Sequence, residues 1–178
     1  MNRTRVMILP GWGGSQDGHW QEWLAGEIAK KYGCVNFFEF SNIDTPNKEL
    51  WLQELKDEIK LFNPTVIVCH SIANMLWFHL CAQESVALEK LFLVAPPSLK
   101  CDIKELSSFF PSPLPTALGA KECWLICSTN DPYATLEESS AMANKLNATL
   151  KVVEDGGHIN RASGFGEWPW IYSKIIEV

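Results

Sequence analysis

The chain has 178 residues, 47% hydrophobic and 20% charged, a balance that excludes a disordered chain or a fibre and suits one globular domain with its own core. A formal net charge of −6 leaves no basic surplus to neutralise phosphates and argues against a nucleic-acid partner. No apolar run approaches the roughly 18 residues of a spanning helix, and Val6–Leu9 is too short for a signal-peptide core of about 7–15 residues, so the chain is expected in the cytoplasm with no membrane partner.

Val6–Leu9 is a short apolar run ended by Pro10-Gly11 and predicts a buried strand. Trp20, Trp23, Leu24, Ile28 and Tyr32 recur at helical spacing, which predicts a helix over Trp20–Tyr32 with Gly33 as its cap. Val35–Phe40 predicts a second strand. Thr45-Pro46 opens a second helix, with Pro in its first position. Trp51, Leu55, Ile59 and Phe62 form its apolar stripe, and Asn63-Pro64 stops it. Thr65–Cys69 is a third strand, buried on both faces, and Ile72–Ala82 a strongly apolar helix.

Leu91–Val94 is a fourth strand. Ser107–Gly119, rich in Pro and Ser, is a loop whose Phe109–Leu118 stretch either flanks a pocket or packs on a second subunit. Glu122–Cys127 is a fifth strand and Leu150–Val153 a sixth. Between them Thr135–Leu146 reads as a helix, with Glu137 and Glu138 in its first turn and Lys145 in its last, as the helix dipole prefers. Trp168–Ile176 closes the chain as a helix. Strand and helix alternate throughout, which predicts a three-layer αβα sandwich with a mostly parallel sheet of about six strands. No internal repeat divides the chain, and nothing in it signals an oligomeric state.

Six cysteines occur, at 34, 69, 81, 101, 123 and 127, with no C-x-x-C pair and no zinc-type Cys/His spacing. Reduced thiols and no metal site are expected. Cys123 and Cys127 fall on one face of their strand.

In an open α/β sheet, ligands bind beyond the carboxyl ends of the strands. Those ends carry Pro10-Gly11-Trp12-Gly13-Gly14, His70-Ser71-Ile72-Ala73, Ser128-Thr129-Asn130-Asp131-Pro132 and Glu154-Asp155-Gly156-Gly157-His158. Serine, aspartate and histidine thus occur in the chain order of α/β-hydrolases. A serine hydroxyl needs a base to become a nucleophile. His158 can supply that base and Asp131 can orient it, so Ser71, Asp131 and His158 are the candidate catalytic residues. The backbone N–H groups of Ile72 and Trp12 are the candidate oxyanion hole. Gly11, Trp12 and His70 are the candidate substrate-binding residues, although a structural contact under the turn suits His70 better.

Asp102 and Asp155 compete with Asp131 for the acid's role. Cys69, two residues before Ser71, reads as core, and His19 and His79 as structural. The run Gly11-Trp12-Gly13-Gly14-Ser15-Gln16 lacks the third glycine of a dinucleotide fingerprint, so no cofactor is expected.

With these pieces in view, the chain resembles the small single-domain serine hydrolases related to the retinoblastoma-binding hydrolase of animals. The resemblance rests on Pro10–Gly14 with His19-Trp20, on His70-Ser71, on Val94-Ala95-Pro96, and on Ser128–Pro132. Gly157–Asn160, Ser163–Gly166 and Trp168-Pro169 look like the bacterial branch. The resemblance implies a minimal α/β-hydrolase domain over residues 1–178 without a lid, with Ser71, Asp131 and His158 as nucleophile, acid and base. Two departures stand out. Cys69 and Ala73 replace the glycines of G-x-S-x-G, and Cys69 must fit beneath a sharp turn. The L-x-C-x-E segment tied to retinoblastoma binding has no counterpart, so that partner is not carried over.

The expected activity is hydrolysis of an ester, thioester or similar acyl bond of a small molecule through an acyl-enzyme on Ser71. Transfer of the acyl group to another acceptor would use the same intermediate, and a peptidase ranks below an esterase. The alternative from another class is an idle hydrolase fold serving as a protein-interaction module.

Overall fold

Apolar residues at successive positions of a strand can all be buried only if both faces of the sheet are covered. The computed structural model, which describes residues 4–15, 17–31 and 33–177, meets that condition. Its strands are β1 (Val6–Leu9), β2 (Val35–Phe37), β3 (Val66–His70), β4 (Leu88–Val94), β5 (Ala120–Ser128) and β6 (Thr149–Val153). Its helices are α1 (Trp20–Lys31), α2 (Lys48–Phe62), α3 (Ile72–Cys81), α4 (Leu136–Leu146) and α5 (Pro169–Ile176). All strand pairs are parallel, in the order β2-β1-β3-β4-β5-β6.

Alternate strand residues divide between two cores. Met7, Leu9, Ile67, Cys69, Leu93, Leu125 and Cys127 face α2, α3 and α4, with Cys123 packed against the same cluster. Ile8, Val66, Val68, Phe92, Val94 and Ile126 face α1 and α5. The result is the αβα sandwich of the α/β-hydrolase fold. Among the described residues, no inserted segment forms a lid over the carboxyl edge of the sheet. Among the described residues, no helix is long and apolar enough to cross a membrane.

The strand order determines where a site can form. From β1 the chain passes to β2 on one side, then returns to place β3 on the other. The loops leaving β1 and β3 therefore diverge to opposite faces, and the crevice between them is the topological switch point.

Several boundaries differ from the sequence reading. β2 ends at Phe37 because its partner β1 ends at Leu9; Phe40 turns inward and stacks on Trp51, ring centroids 4.4 Å apart. Asn47, not Thr45, caps α2 by accepting from the Leu50 N–H at 3.1 Å, so Pro46 lies before the cap rather than in the first helical position. β3 runs one residue later than expected, through His70. β4, β5 and β6 start earlier, where polar residues extend the ladder toward the surface: Lys90 pairs with Glu122 in register.

The 109–118 stretch does not line the cleft over Ser71. Phe109 is fully buried and edge-on to Trp51, Leu118 is buried, and Trp77 donates its indole N–H to the Leu118 carbonyl. The expected loop Ser107–Gly119 is preceded and entered by a 3-10 turn, Lys104–Phe109. At the end of α1, the Gly33 N–H bonds the Ile28 carbonyl at 3.1 Å, closing the helix as expected. Tyr32 and Gln16, which entered the sequence argument, lie outside the described residues.

Candidate active site

The turn from β3 into α3 holds Ser71 at φ 55° and ψ −125°, a conformation few non-glycine residues adopt. Neighbouring bonds hold it there. The Ser71 N–H donates to the Val94 carbonyl at 3.0 Å. The Asn74 amide donates to the Ser71 carbonyl at 2.7 Å and to the Val94 carbonyl at 2.9 Å. Ser71 occupies the N-cap position of α3, yet its side chain makes no capping bond, which leaves the hydroxyl free for another partner.

Cys69 does not obstruct the turn, because its side chain is directed into the core shared with α2 and α3 and is fully buried. Burial also pushes its thiol pKa well up, so it stays a protonated core residue. Gly11 is required on the other side. A Cβ there would lie 2.8 Å from the Ser71 Cβ.

The loops after β5 and β6 are tied together by Asn130. Its Oδ1 accepts from the Ser128 hydroxyl at 2.8 Å and from the Gly157 N–H at 2.6 Å. Gly157 has φ +53°, and any Cβ there would collide with the Ser163 side chain. Trp20 anchors the same loop from α1, donating its indole N–H to the Ile159 carbonyl at 2.7 Å. That contact gives the His19-Trp20 pair a structural task.

These ties bring Asp131 and His158 to the serine. His158 Nε2 lies 2.8 Å from Ser71 Oγ, and His158 Nδ1 lies 2.9 and 3.0 Å from the Asp131 carboxylate oxygens. A carboxylate only accepts, so Nδ1 carries the proton and the Nε2 lone pair faces the serine hydroxyl. The Tyr133 N–H also donates to Asp131 Oδ1 at 2.9 Å, and the Tyr133 ring stands edge-on to His158. Asp102 and Asp155 are exposed, and among the described residues neither bonds His158.

His70 and His19 continue the cluster beside His158. His70 is buried and lines the cleft, and its Nε2–H donates to the His158 carbonyl at 3.1 Å, so this nitrogen supports the His158 loop. His19, read from sequence as structural, lines the cleft wall; its Nδ1 accepts from the Gln21 N–H at 3.2 Å. Burial, with His158 nearby, pushes the His19 pKa down to about 4, and burial pushes His70 well below its ordinary range. Both are neutral at neutral pH and place no competing positive charge beside His158. His79 lies elsewhere, its Nε2 on the Phe109 carbonyl at 2.9 Å.

Trp12 stands in the cleft wall at 40% exposure, its indole N–H donated to the Asp44 carbonyl at 3.0 Å. Among the described residues, no protein acceptor takes the backbone N–H of Trp12 or of Ile72. N–H groups left without a protein acceptor next to a serine are the kind of donor that receives an oxyanion.

The cleft over Ser71 has a volume of about 230 Å³. Sequence reasoning missed two of its walls. Pro97, Cys101, Ile103 and Leu106 supply an apolar side, and Asn160 and Arg161 a polar one. The run Gly157–Asn160 was visible as a motif, and the 97–106 segment entered the sequence reading of the site only through Asp102; its apolar wall forms because the sheet brings that segment alongside β3. Among the described residues, no group of His, Cys, Asp and Glu side chains is arranged to hold a metal ion.

Comparison with known proteins agrees with this architecture. The family model described as "Serine hydrolase" matches residues 6–177. YdeN of Bacillus subtilis (strain 168) is 26% identical over 179 residues, covering 96% of this chain and 94% of YdeN. The crystal structure of the ydeN gene product superposes with a TM-score of 0.83 at 24% identity, covering 97% of this chain and 96% of that one. A YdeN-like protein from Pectobacterium atrosepticum gives a TM-score of 0.80 at 19% identity, with 97% and 89% covered. The chain belongs to the serine hydrolase family.

Proposed function

We propose that this serine hydrolase family member acts as one catalytic domain that cleaves an ester, thioester or similar acyl bond of a small molecule, with Ser71 as nucleophile. One observation carries the reading: His158 lies 2.8 Å from Ser71 Oγ through one ring nitrogen and 2.9 Å from Asp131 through the other.

The chemistry follows from that arrangement. Ser71 Oγ bonds the acyl carbon while its proton passes to His158 Nε2. The carbonyl electrons move onto oxygen, where the Trp12 and Ile72 N–H groups stabilise the charge. The bond to the leaving alcohol or thiol then breaks, and the leaving atom takes the proton from Nε2. Water, deprotonated by the same nitrogen, attacks the acyl-enzyme and releases a carboxylic acid and free Ser71. Asp131 stabilises the imidazolium at each stage without itself being protonated. An acyl acceptor other than water would use the same intermediate. The hydrogen-bonded elbow favours this chemistry over an idle module built on the same fold. The reading includes action in the cytoplasm, a reducing compartment in which the six unpaired cysteines would remain thiols.

The test is intact-mass spectrometry after exposure to a fluorophosphonate, on wild type beside Ser71→Ala. One adduct on the wild type and none on the variant is expected. No adduct on folded wild type would sink the reading in favour of the interaction module.

A further inference from the structure

Arg161 carries the one full positive charge among the cleft-lining residues described, and the mechanism above leaves it unused. Among the described residues no Asp or Glu lines the cleft, although the chain as a whole carries a net charge of −6. Arg161 is exposed, and among the described residues no carboxylate forms an ion pair with it. Glu22 is held instead by the Gly18 N–H, at 2.6 Å.

The guanidinium lies across Gly18. The Cβ position of that glycine is 3.6 Å from Cζ, 3.7 Å from Nε and 3.8 Å from Nη1. Near-equal distances to three atoms of one plane put the glycine against the face of the group. The N–H donors lie in that plane and remain available at its edge.

Arg161 is also fixed relative to the base. It opens the 3-10 turn Arg161–Ser163, which Asn160 Oδ1 closes by accepting from the Ser163 N–H at 3.0 Å and from its hydroxyl at 2.9 Å. The same Ser163 hydroxyl accepts the His158 N–H at 3.1 Å. Base and cation therefore belong to one hydrogen-bonded loop.

A leaving oxygen must come within reach of His158 Nε2 to take its proton. The part of the substrate beyond that oxygen leaves the cleft past His158, and Arg161, three residues on in the same loop, is a cation lining that cleft. The apolar wall of Pro97, Ile103 and Leu106 suits the acyl chain instead. A guanidinium matches a carboxylate in a two-pronged geometry, and one cation balances a monoanion rather than a doubly charged phosphate. We propose that Arg161 is a specificity determinant that pairs with a carboxylate on the leaving-group half of the substrate. This rests on the reading that Ser71 is acylated and His158 protonates the leaving atom.

The test compares butyrate esters of 4-hydroxybenzoate and 4-hydroxybenzamide, which differ in charge at the far end of the leaving group. The ratio of kcat/KM for the anionic over the neutral ester should fall about 5–10-fold in Arg161→Gln. It should fall further in Arg161→Glu. A second arm needs no turnover: 4-hydroxybenzoate is titrated against Ser71→Ala by NMR, with and without Arg161→Gln. Binding should weaken by about 5–10-fold on loss of the guanidinium, with 4-hydroxybenzamide unaffected. Esters cleaved at a ratio indifferent to Arg161 would overturn the proposal and leave the hydrolase standing. Arg161-dependent binding of the carboxylate in a protein whose Ser71 takes no fluorophosphonate adduct would remove the hydrolase and overturn the leaving-group role of Arg161.

Discussion

Gly11, at the end of β1, lies so close to Ser71 that a Cβ on the glycine would stand 2.8 Å from the Ser71 Cβ and 3.4 Å from its Oγ. The two residues come from loops that diverge at the switch point of the sheet, and their contact sets how near the glycine-rich loop comes to the serine. Two backbone segments can approach this closely only where one lacks a side chain.

Gly11→Ala should therefore push the elbow and the β1 loop apart. Misplacing a nucleophile by about 1 Å can cost on the order of 100-fold in rate. A drop of about 10–100-fold in kcat/KM for a short-chain aryl ester is expected, with a stability loss of about 1–3 kcal/mol from overpacking. Ester kinetics beside a urea melt would measure both. Full activity in Gly11→Ala would show that the loop moves without consequence.

Asp131→Asn keeps the shape of the side chain but exchanges an acceptor-only group for one that can donate to Nδ1, which favours the wrong tautomer. The expected loss in kcat is about 10⁴-fold. Asp155→Asn, at an exposed position that does not touch His158, should change kcat less than about threefold. A large loss in the Asp155 variant and none in the Asp131 variant would reverse the assignment of the acid.

The pH dependence of stability follows from the buried histidines. His19 has its pKa depressed from 6.5 to about 4, so the unfolded chain binds the extra proton first. Stability from this group is fully present above pH 6.5 and is lost as pH falls toward about 4. At ~1.4 kcal/mol per pH unit, that interval amounts to about 3 kcal/mol. His70 acts in the same direction. Urea melts between pH 7.5 and 4 should show the decline, and it should be shallower in His19→Asn, which keeps an acceptor near the Gln21 N–H. Equal slopes in the two proteins would remove His19 as a source.

Thr135 caps α4, accepting from the Glu138 N–H at 3.1 Å while Glu138 returns a bond to the Thr135 N–H at 3.0 Å. Thr135→Ala should cost about 1 kcal/mol and lower Tm by about 2–4 °C. Calorimetry would check it, and an unchanged Tm would mean that α4 is held by packing alone.

Element types were largely readable because they depend on local pattern. The stripe of Trp51, Leu55 and Ile59 and the run Val66–Cys69 each carry their own period or apolar length, and each became the helix or strand expected. Boundaries were less readable because neighbours settle them. β2 stops where β1 ends, and Lys90 joins β4 because Glu122 pairs alongside it. That Phe109 and Leu118 lie off the cleft was not readable, because the apolar surface of α2 and α3 that claims them is assembled only on folding.

At the site the division runs along the same line. Ser71, Asp131 and His158 were legible as candidates because each follows a strand, and in a parallel sheet all such ends share one edge. The partnership of His158 with Asp131 rather than Asp102 or Asp155 depends on Asn130 binding the β5 and β6 loops together. The His19–His70–His158 cluster, the 97–106 wall and the placement of Arg161 likewise join residues far apart in the chain. Sequence by itself determined which chemistry was available and on which edge of the sheet. Tertiary structure alone decided which groups meet, because hydrogen bonds and close contacts act over distances that chain order does not encode.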